Sequence, residues 1–425
     1  MTLVMTPPSV LSSPQRRCHA FLMLSLPGHA LTPESLGELN GVDGAVTRQD
    51  IADTGLEIQR YHRLNIVTQP DGCYRIEGSI LDQRLCLVHW LRRALRLSPD
   101  FISAHFTPAL KTALKQNEIA RPLYDDTNLQ ALINLCARNL QRQFECRDVQ
   151  FLRLYLQYCL LQHQLGFTPE FNPVQQAWAQ SRAEYRAAQD IVRHWQRRVA
   201  KMPHDSEHLF LAVMFMMLRI PDPLRDGHQQ DLRLRRAVNQ MIGRFHALSG
   251  MRFSDEQGLA DQLYIHLAQA LDRSLFGIGI DDTLPEEMHR LYPRLMRTTQ
   301  EVMAGMEREY GLRFSPEETG LVAVIFGAWL MQESDLHEKQ VLILTGNDPA
   351  REEEIERQLR ELTLLPLNIK HQSLQTFQNE GAPREVALII TPYATALPLF
   401  SAPLIHATGS LSEQQQGHIR VMLEG

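Results

Sequence analysis

Two stretches of the chain carry one helical pattern 111 positions apart, and any fold must accommodate that duplication. Near residue 155 the chain reads Leu152-Arg153-Leu154-Tyr155-Leu156, followed by Gln162 and Gly166. At that offset it reads Leu263-Tyr264-Ile265-His266-Leu267, followed by Arg273 and Gly277. The spacing recurs further on, where Glu207, Ala212 and Phe215 lie over Glu318, Ala323 and Phe326. Two separate helices matching at one constant spacing indicate internal duplication. Tyrosine stands at 155 where the second copy has histidine at 266.

The 425 residues leave room for three or four domains, each with its own core. Apolar content of 44%, charged content of 22% and a net charge of −6 give no general pull toward nucleic acid or anionic membrane. The longest apolar runs, 209–218 and 320–331, fall short of the ~20 residues a bilayer span needs and read as buried core helices. Pro7 and Pro8, followed by polar residues, lack the basic-then-apolar order of a signal peptide. Six cysteines (18, 73, 86, 136, 146 and 159) form no Cys-x-x-Cys pair and have no clustered histidines. The expectation is a cytoplasmic chain with reduced thiols, no metal, no cofactor and no membrane association.

The order of elements predicts a multidomain, mainly α protein. Residues 1–14 read as a disordered, Ser- and Pro-rich lead-in. Residues 15–80 read as a winged helix-turn-helix. A first apolar stripe runs through Cys18, Phe21 and Leu22. A second helix is capped by Thr32-Pro33 and stopped at Asn40-Gly41, and a third is capped by Asp43. Strands follow near 64–68 and 73–76, joined by Gln69-Pro70-Asp71-Gly72. Residues 81–122 are a helical connector, and 123–225 and 228–336 are the two all-helical repeats. From 339 to 425, strands alternate with helices, which implies a small, mostly parallel α/β sheet.

This order resembles bacterial regulators that carry phosphotransferase-system regulation domains (PRDs). The second repeat matches best, through Leu263, His266, Leu267, Arg273 and Gly277, then Leu284, Met288 and Tyr292-Pro293, then Glu318 to Ala328. Gly72-Cys73-Tyr74-Arg75-Ile76-Glu77-Gly78 resembles the wing of these proteins, and the tail resembles the sugar-transporter B subunit they often carry. The resemblance implies a dimer whose equilibrium is shifted by phosphotransferase proteins through histidine phosphorylation, coupling sugar transport to DNA or RNA binding. It also implies two acceptor histidines per repeat. Three of those four positions hold Tyr155, Met214 and Ile325, leaving His266, and Ile265 replaces the usual acidic residue before it. The acceptor cysteine expected near Thr345 is absent, and Gly346-Asn347-Asp348-Pro349-Ala350 stands where a glycine loop would cradle phosphate.

His266 is therefore the one candidate phospho-acceptor, with Arg273 a candidate phosphate partner; the alternative is a packing histidine. The candidate DNA contacts are Thr47, Arg48 and Gln49 at the start of the third helix, with a stripe of Arg92, Arg93 and Arg96 behind them. Against DNA binding, residues 1–80 hold six basic and eight acidic side chains. No arrangement points to catalysis. Two functions remain open: a DNA-binding, dimeric transcriptional regulator with degenerate phosphotransferase control, or a protein-interaction module descended from one.

Overall fold

The computed structural model describes residues 10–28, 30–197, 205–279, 287–333, 339–364, 367–396 and 401–424. Residues 1–9 of the expected lead-in and Leu284 of the repeat motif lie outside them. The chain divides into two compact units, Met1–Ile220 with Asp272–Asp281, and Pro221–Leu271 with Asp282–Gly425.

The first unit opens with helices α1 (Ser13–Leu24), α2 (Pro33–Asn40) and α3 (Gly44–His62). Each begins where a side chain satisfies backbone donors that no helical carbonyl can reach. Ser12 with Gln15 and Thr32 with Ser35 form capping boxes, and Asp43 accepts from Ala45 N and Val46 N at 2.9 Å. Gly41 ends α2 at φ +64°, a left-handed conformation that a side chain would penalise. Strands β1 (Asn65–Thr68) and β2 (Tyr74–Glu77) then pair antiparallel with Ile66 opposite Ile76. Gly78 closes this ribbon at φ +148°, a conformation that side chains rarely adopt, and a Cβ there would fall 2.4 Å from Leu64 Cδ2 and force it to shift. Three helices followed by a ribbon are the order expected of a winged helix.

Helix α4 (Ile80–Leu97) buries Trp90 against Phe21, ring centroids 4.8 Å apart, and so ties the connector to α1. The short helix α5 (Pro99–Phe101), a π turn at Ile102–Phe106, α6 (Thr107–Gln116) and α7 (Arg121–Tyr124) lead to the first repeat. That repeat contains α8 (Asp126–Leu140), α9 (Cys146–Gln164), α10 (Pro173–Gln180), α11 (Glu184–Gln196) and α12 (Asp205–Met217). Helices α9 and α12 are buried nearly all round, as their continuous apolar runs require.

The second unit contains α13 (Gln229–Ser249), α14 (Glu256–Phe276), α15 (Glu287–Leu291), α16 (Pro293–Tyr310) and α17 (Pro316–Glu333). Helices α14 and α17 stand at the repeat offset from α9 and α12. Phe245 stacks on Phe326 with centroids 4.2 Å apart, anchoring α13 to α17. The last turn of α14 clusters with the first unit. There Trp178 Nε1 donates to Asp272 Oδ1 (2.8 Å), and Gly279 N donates to Tyr61 O (2.8 Å). Burial pushes the Asp272 carboxyl above its ordinary range, with Arg182 pulling the other way.

The tail runs β3 (Lys339–Thr345), α18 (Pro349–Leu362), β4 (Leu367–Ser373), α19 (Leu374–Glu380), β5 (Val386–Thr391), β6 (Leu404–His406) and α20 (Glu413–Glu424). All four strands are parallel, in the order β4-β3-β5-β6. Val341, Ile343, Leu388 and Ile390 face α18 and α20, while Leu342, Leu344 and Ile389 pack with Phe377 of α19. Covering both faces is what a parallel sheet requires. On α16, Arg294 pairs with Glu424 at 3.2 Å and Arg297 with Glu361 at 2.5 Å, joining tail to repeat.

Candidate functional site: paired glutamates of the two repeats

His266 sits midway along α14, and Glu318 sits in the first turn of α17, where an acidic side chain suits the positive end of the helix. Ser315 Oγ accepts from Glu318 N at 3.1 Å and fixes that first turn. His266 Nε2 lies 3.2 Å from Glu318 Oε2, with side chains 17% and 3% exposed. The site is thus a half-buried imidazole against a nearly buried carboxylate, reachable from solvent on the histidine side.

The first repeat has the same glutamate in a different setting. Glu207, at the repeat offset from Glu318, accepts two hydrogen bonds from Arg84 of α4, at 2.7 and 2.8 Å, and both side chains are fully buried. Arg84 also donates to Phe167 O at 2.8 Å and lies over the Phe210 ring at 5.0 Å. Glu207 holds the Arg84 proton more tightly than burial loosens it, so this guanidinium stays charged. Tyr155, at the offset from His266, donates its hydroxyl to Arg84 O, and burial drives its ionisation far out of reach. His163 Nδ1 stands 3.8 Å from the same carboxylate. The first repeat is therefore closed by an inserted arginine, and no imidazole occupies its acceptor position. Met214 and Ile325 are core residues, as their apolar surroundings imply.

Arg273 lies two turns beyond His266 on α14, about 10 Å in rise, half-buried in the part of the helix that clusters with the first unit.

The candidate DNA contacts scatter. Thr47 is a correction: it is buried, and its hydroxyl donates to Asp43 O at 2.9 Å beneath Gly37, so it packs the helix-turn-helix and cannot reach a base edge. Gln49 is exposed but donates to Asp53 at 2.8 Å. Arg48 is exposed and makes no ion pair among the described residues. In the stripe, Arg93 is also corrected: it pairs with Glu57 at 2.5 Å and lies over Trp90, so it belongs to the fold. Arg92 and Arg96 are exposed, Arg92 loosely near Asp148 at 3.9 Å. Other cations of this region are paired as well: Arg16 with Asp50, Arg17 with Glu57, Arg63 with Asp82, and Arg75 with Glu77.

In the tail, the backbone donors after β3 are satisfied internally. Gly346 N donates to Glu352 Oε1 at 2.6 Å, and Asp348 N to the Tyr393 hydroxyl at 2.9 Å. Tyr393 in turn donates to Glu352 at 2.7 Å. A carboxylate of the chain itself occupies the place at the strand end where an anion would be cradled.

Sequence reasoning assigns no role to Glu207, Glu318 or Arg84. The glutamates are visible as an aligned pair in the repeat, and a carboxylate recurring in an apolar run was the signal. Arg84 carries none, because it lies in the connector, far from both repeat motifs.

Comparison with known proteins agrees with this geometry. The PRD domain family matches residues 130–217 and 239–329. The family described as Stationary phase-inducible protein CsiE, C-terminal domain, matches residues 339–423. Two helical repeats with equivalent glutamates, together with these matches, define a PRD-containing protein of the regulator class. The chain is 61% identical over 424 residues, 100% of each chain, to Stationary phase-inducible protein CsiE of Escherichia coli (strain K12), and it belongs to the CsiE family. It is also similar to Transcriptional regulator ManR of Bacillus subtilis (strain 168), at 24% identity over 143 residues, 33% of this chain and 22% of that protein. Among the described residues, no helix is long and apolar enough to cross a membrane.

Proposed function

We propose that this chain is a transcriptional regulator whose phosphoryl input has contracted to His266 and whose N-terminal winged helix contacts DNA. The observation that carries the first half is the contrast between the equivalent glutamates: Glu207 is paired with the fully buried Arg84, while Glu318 lies against a histidine that keeps some exposure. A ring nitrogen of His266 would take the phosphoryl group beside Glu318, whose Oε2 stands 3.2 Å from Nε2 without an aligned hydrogen bond. Transfer would bring roughly two negative charges next to the Glu318 carboxylate, and like-charge repulsion would strain the contact between α14 and α17. Phosphotransferase proteins are the expected donors, and the repeats are the expected homodimer surface.

A phosphate moves an equilibrium only through its different effect on the two states. The charge-mimicking His266→Asp variant should therefore shift dimer affinity about tenfold from wild type, and His266→Ala should stay within about twofold. Equal affinities for all three in analytical ultracentrifugation would make His266 a packing residue.

A second reading, a protein-interaction module in place of a DNA reader, is favoured by the internal pairing of Arg16, Arg17, Arg63, Arg75 and Arg93. The two readings differ in salt dependence. With Arg48, Arg92 and Arg96 left to neutralise phosphates, the slope of log affinity against log salt should be about −2.7, or roughly fortyfold lost between 50 and 200 mM. Arg48→Ala should make that slope shallower. Failure to retard any genomic fragment at low salt would favour the interaction module.

A further inference from the structure

The helix-turn-helix contains a buried histidine that the proposed function does not use. His19 of α1 is 2% exposed, and its ring lies flat on Phe101 of α5, with centroids 3.8 Å and planes 4° apart. Phe101 also meets His105 of the π turn, with ring centroids 5.1 Å apart. His19 Nδ1 stands 2.8 Å from Asn40 Oδ1. Asn40 Nδ2 donates to Arg16 O at 3.4 Å, which keeps the amide oxygen toward the ring. An amide oxygen only accepts, so Nδ1 carries a proton and donates it to this bond. Nε2 is then a bare lone pair, buried and without a hydrogen-bond partner among the described residues. Asn40 is the last residue of α2, and Gly41 turns the chain toward α3. One neutral imidazole therefore joins α1 to the turn of the helix-turn-helix.

A second proton would go to Nε2, where a buried N–H finds no acceptor. Burial accordingly holds this imidazole below its ordinary range; the Asn40 bond pulls the other way, and a charged His105 adds repulsion. Around the ring, α2 presents the neutral Asn40, α5 the neutral Phe101 and the π turn His105. Arg16, one turn earlier on α1, is held by Asp50 of α3, while Arg17, Glu57, Arg93 and Arg96 act on the adjacent Cys18 thiol. Among the described residues, no carboxylate acts on His19 to hold an imidazolium. The ring face of Phe101 and the carboxyl end of α2 attract cations, but neither accepts the Nε2 proton. We propose that His19 is a proton-operated latch, through which mild acidification releases α1 from the turn between α2 and α3. The opened state binds the proton more tightly than the closed one, so stability is complete above about pH 6.5 and falls as the pH drops below it. The input is the proton itself, so the latch stands whether or not α3 meets DNA or His266 takes a phosphate.

Native-state hydrogen exchange of the full-length protein, compared between about pH 7.5 and about pH 5.5, reads the opening of α1 and α2. After correction for the intrinsic pH dependence of exchange, opening in wild type should rise severalfold. The ceiling is about tenfold over this interval for one group that titrates near 6.5 when free. His19→Gln and His19→Phe cannot titrate and should lose most of that rise. Glutamine keeps an amide donor for Asn40 and phenylalanine keeps the stack on Phe101, so the test survives if one of them fails to fold. His105→Gln leaves the latch in place and should keep most of the rise. A rise that persists in the His19 variants, or that His105→Gln removes instead, overturns the proposal. So does a wild-type protein whose α1 and α2 open equally at both pH values.

Discussion

Glu207→Ala should destabilise the chain by about 3–5 kcal/mol, because it leaves the Arg84 guanidinium fully buried without its counter-charge. Arginine cannot escape by losing a proton, and one carbonyl, Phe167 O, is a weak substitute for a bidentate carboxylate. Arg84→Ala should cost a similar amount by stranding the carboxylate. The Arg84→Met/Glu207→Leu pair, which removes both charges and keeps the volume, should recover most of that loss and come within about 1 kcal/mol of wild type or above it. Glu318→Ala in the second repeat should cost clearly less, since its neighbour His266 is partly exposed and an imidazole, unlike a guanidinium, can exist neutral. Denaturant midpoints of the four variants measure these costs. Equal costs at Glu207 and Glu318 would contradict the view that a buried arginine makes the first of these carboxylates the more costly to lose.

The architecture was largely legible because it follows from local patterns. The repeat announced itself through apolar spacing at a constant offset, and Thr32, Asp43 and Gly41 marked the helix-turn-helix through cap and turn chemistry. The covered parallel sheet of the tail followed from strands alternating with helices. The site was half legible. His266 stood out against Tyr155, Met214 and Ile325, but the pair that closes the first repeat joins residues 84 and 207, a contact that no local pattern encodes. The errors at Thr47 and Arg93 share one cause. Both residue types suit nucleic acid, yet α3 turns Thr47 inward under Gly37, and Glu57 lies within reach of Arg93 across the α3–α4 contact. A sequence specifies which residues are polar; the packing of neighbouring helices decides which of them meet solvent.

The central claim, that phosphoryl input has contracted from four positions to one, meets its most direct test in phosphate transfer. The full-length protein is incubated with a phosphorylated phosphocarrier protein of the phosphotransferase system, and acid-labile phosphate is counted and mapped by mass spectrometry. Wild type should take up one phosphate per chain, on His266, and His266→Ala should take up none. Tyr155→His should not create a second site, because the Arg84–Glu207 pair keeps that position buried. The readout is all or none, so it does not depend on how strongly phosphorylation shifts any later equilibrium. Label that persists in His266→Ala, or a wild-type chain that no donor labels, would contradict the account.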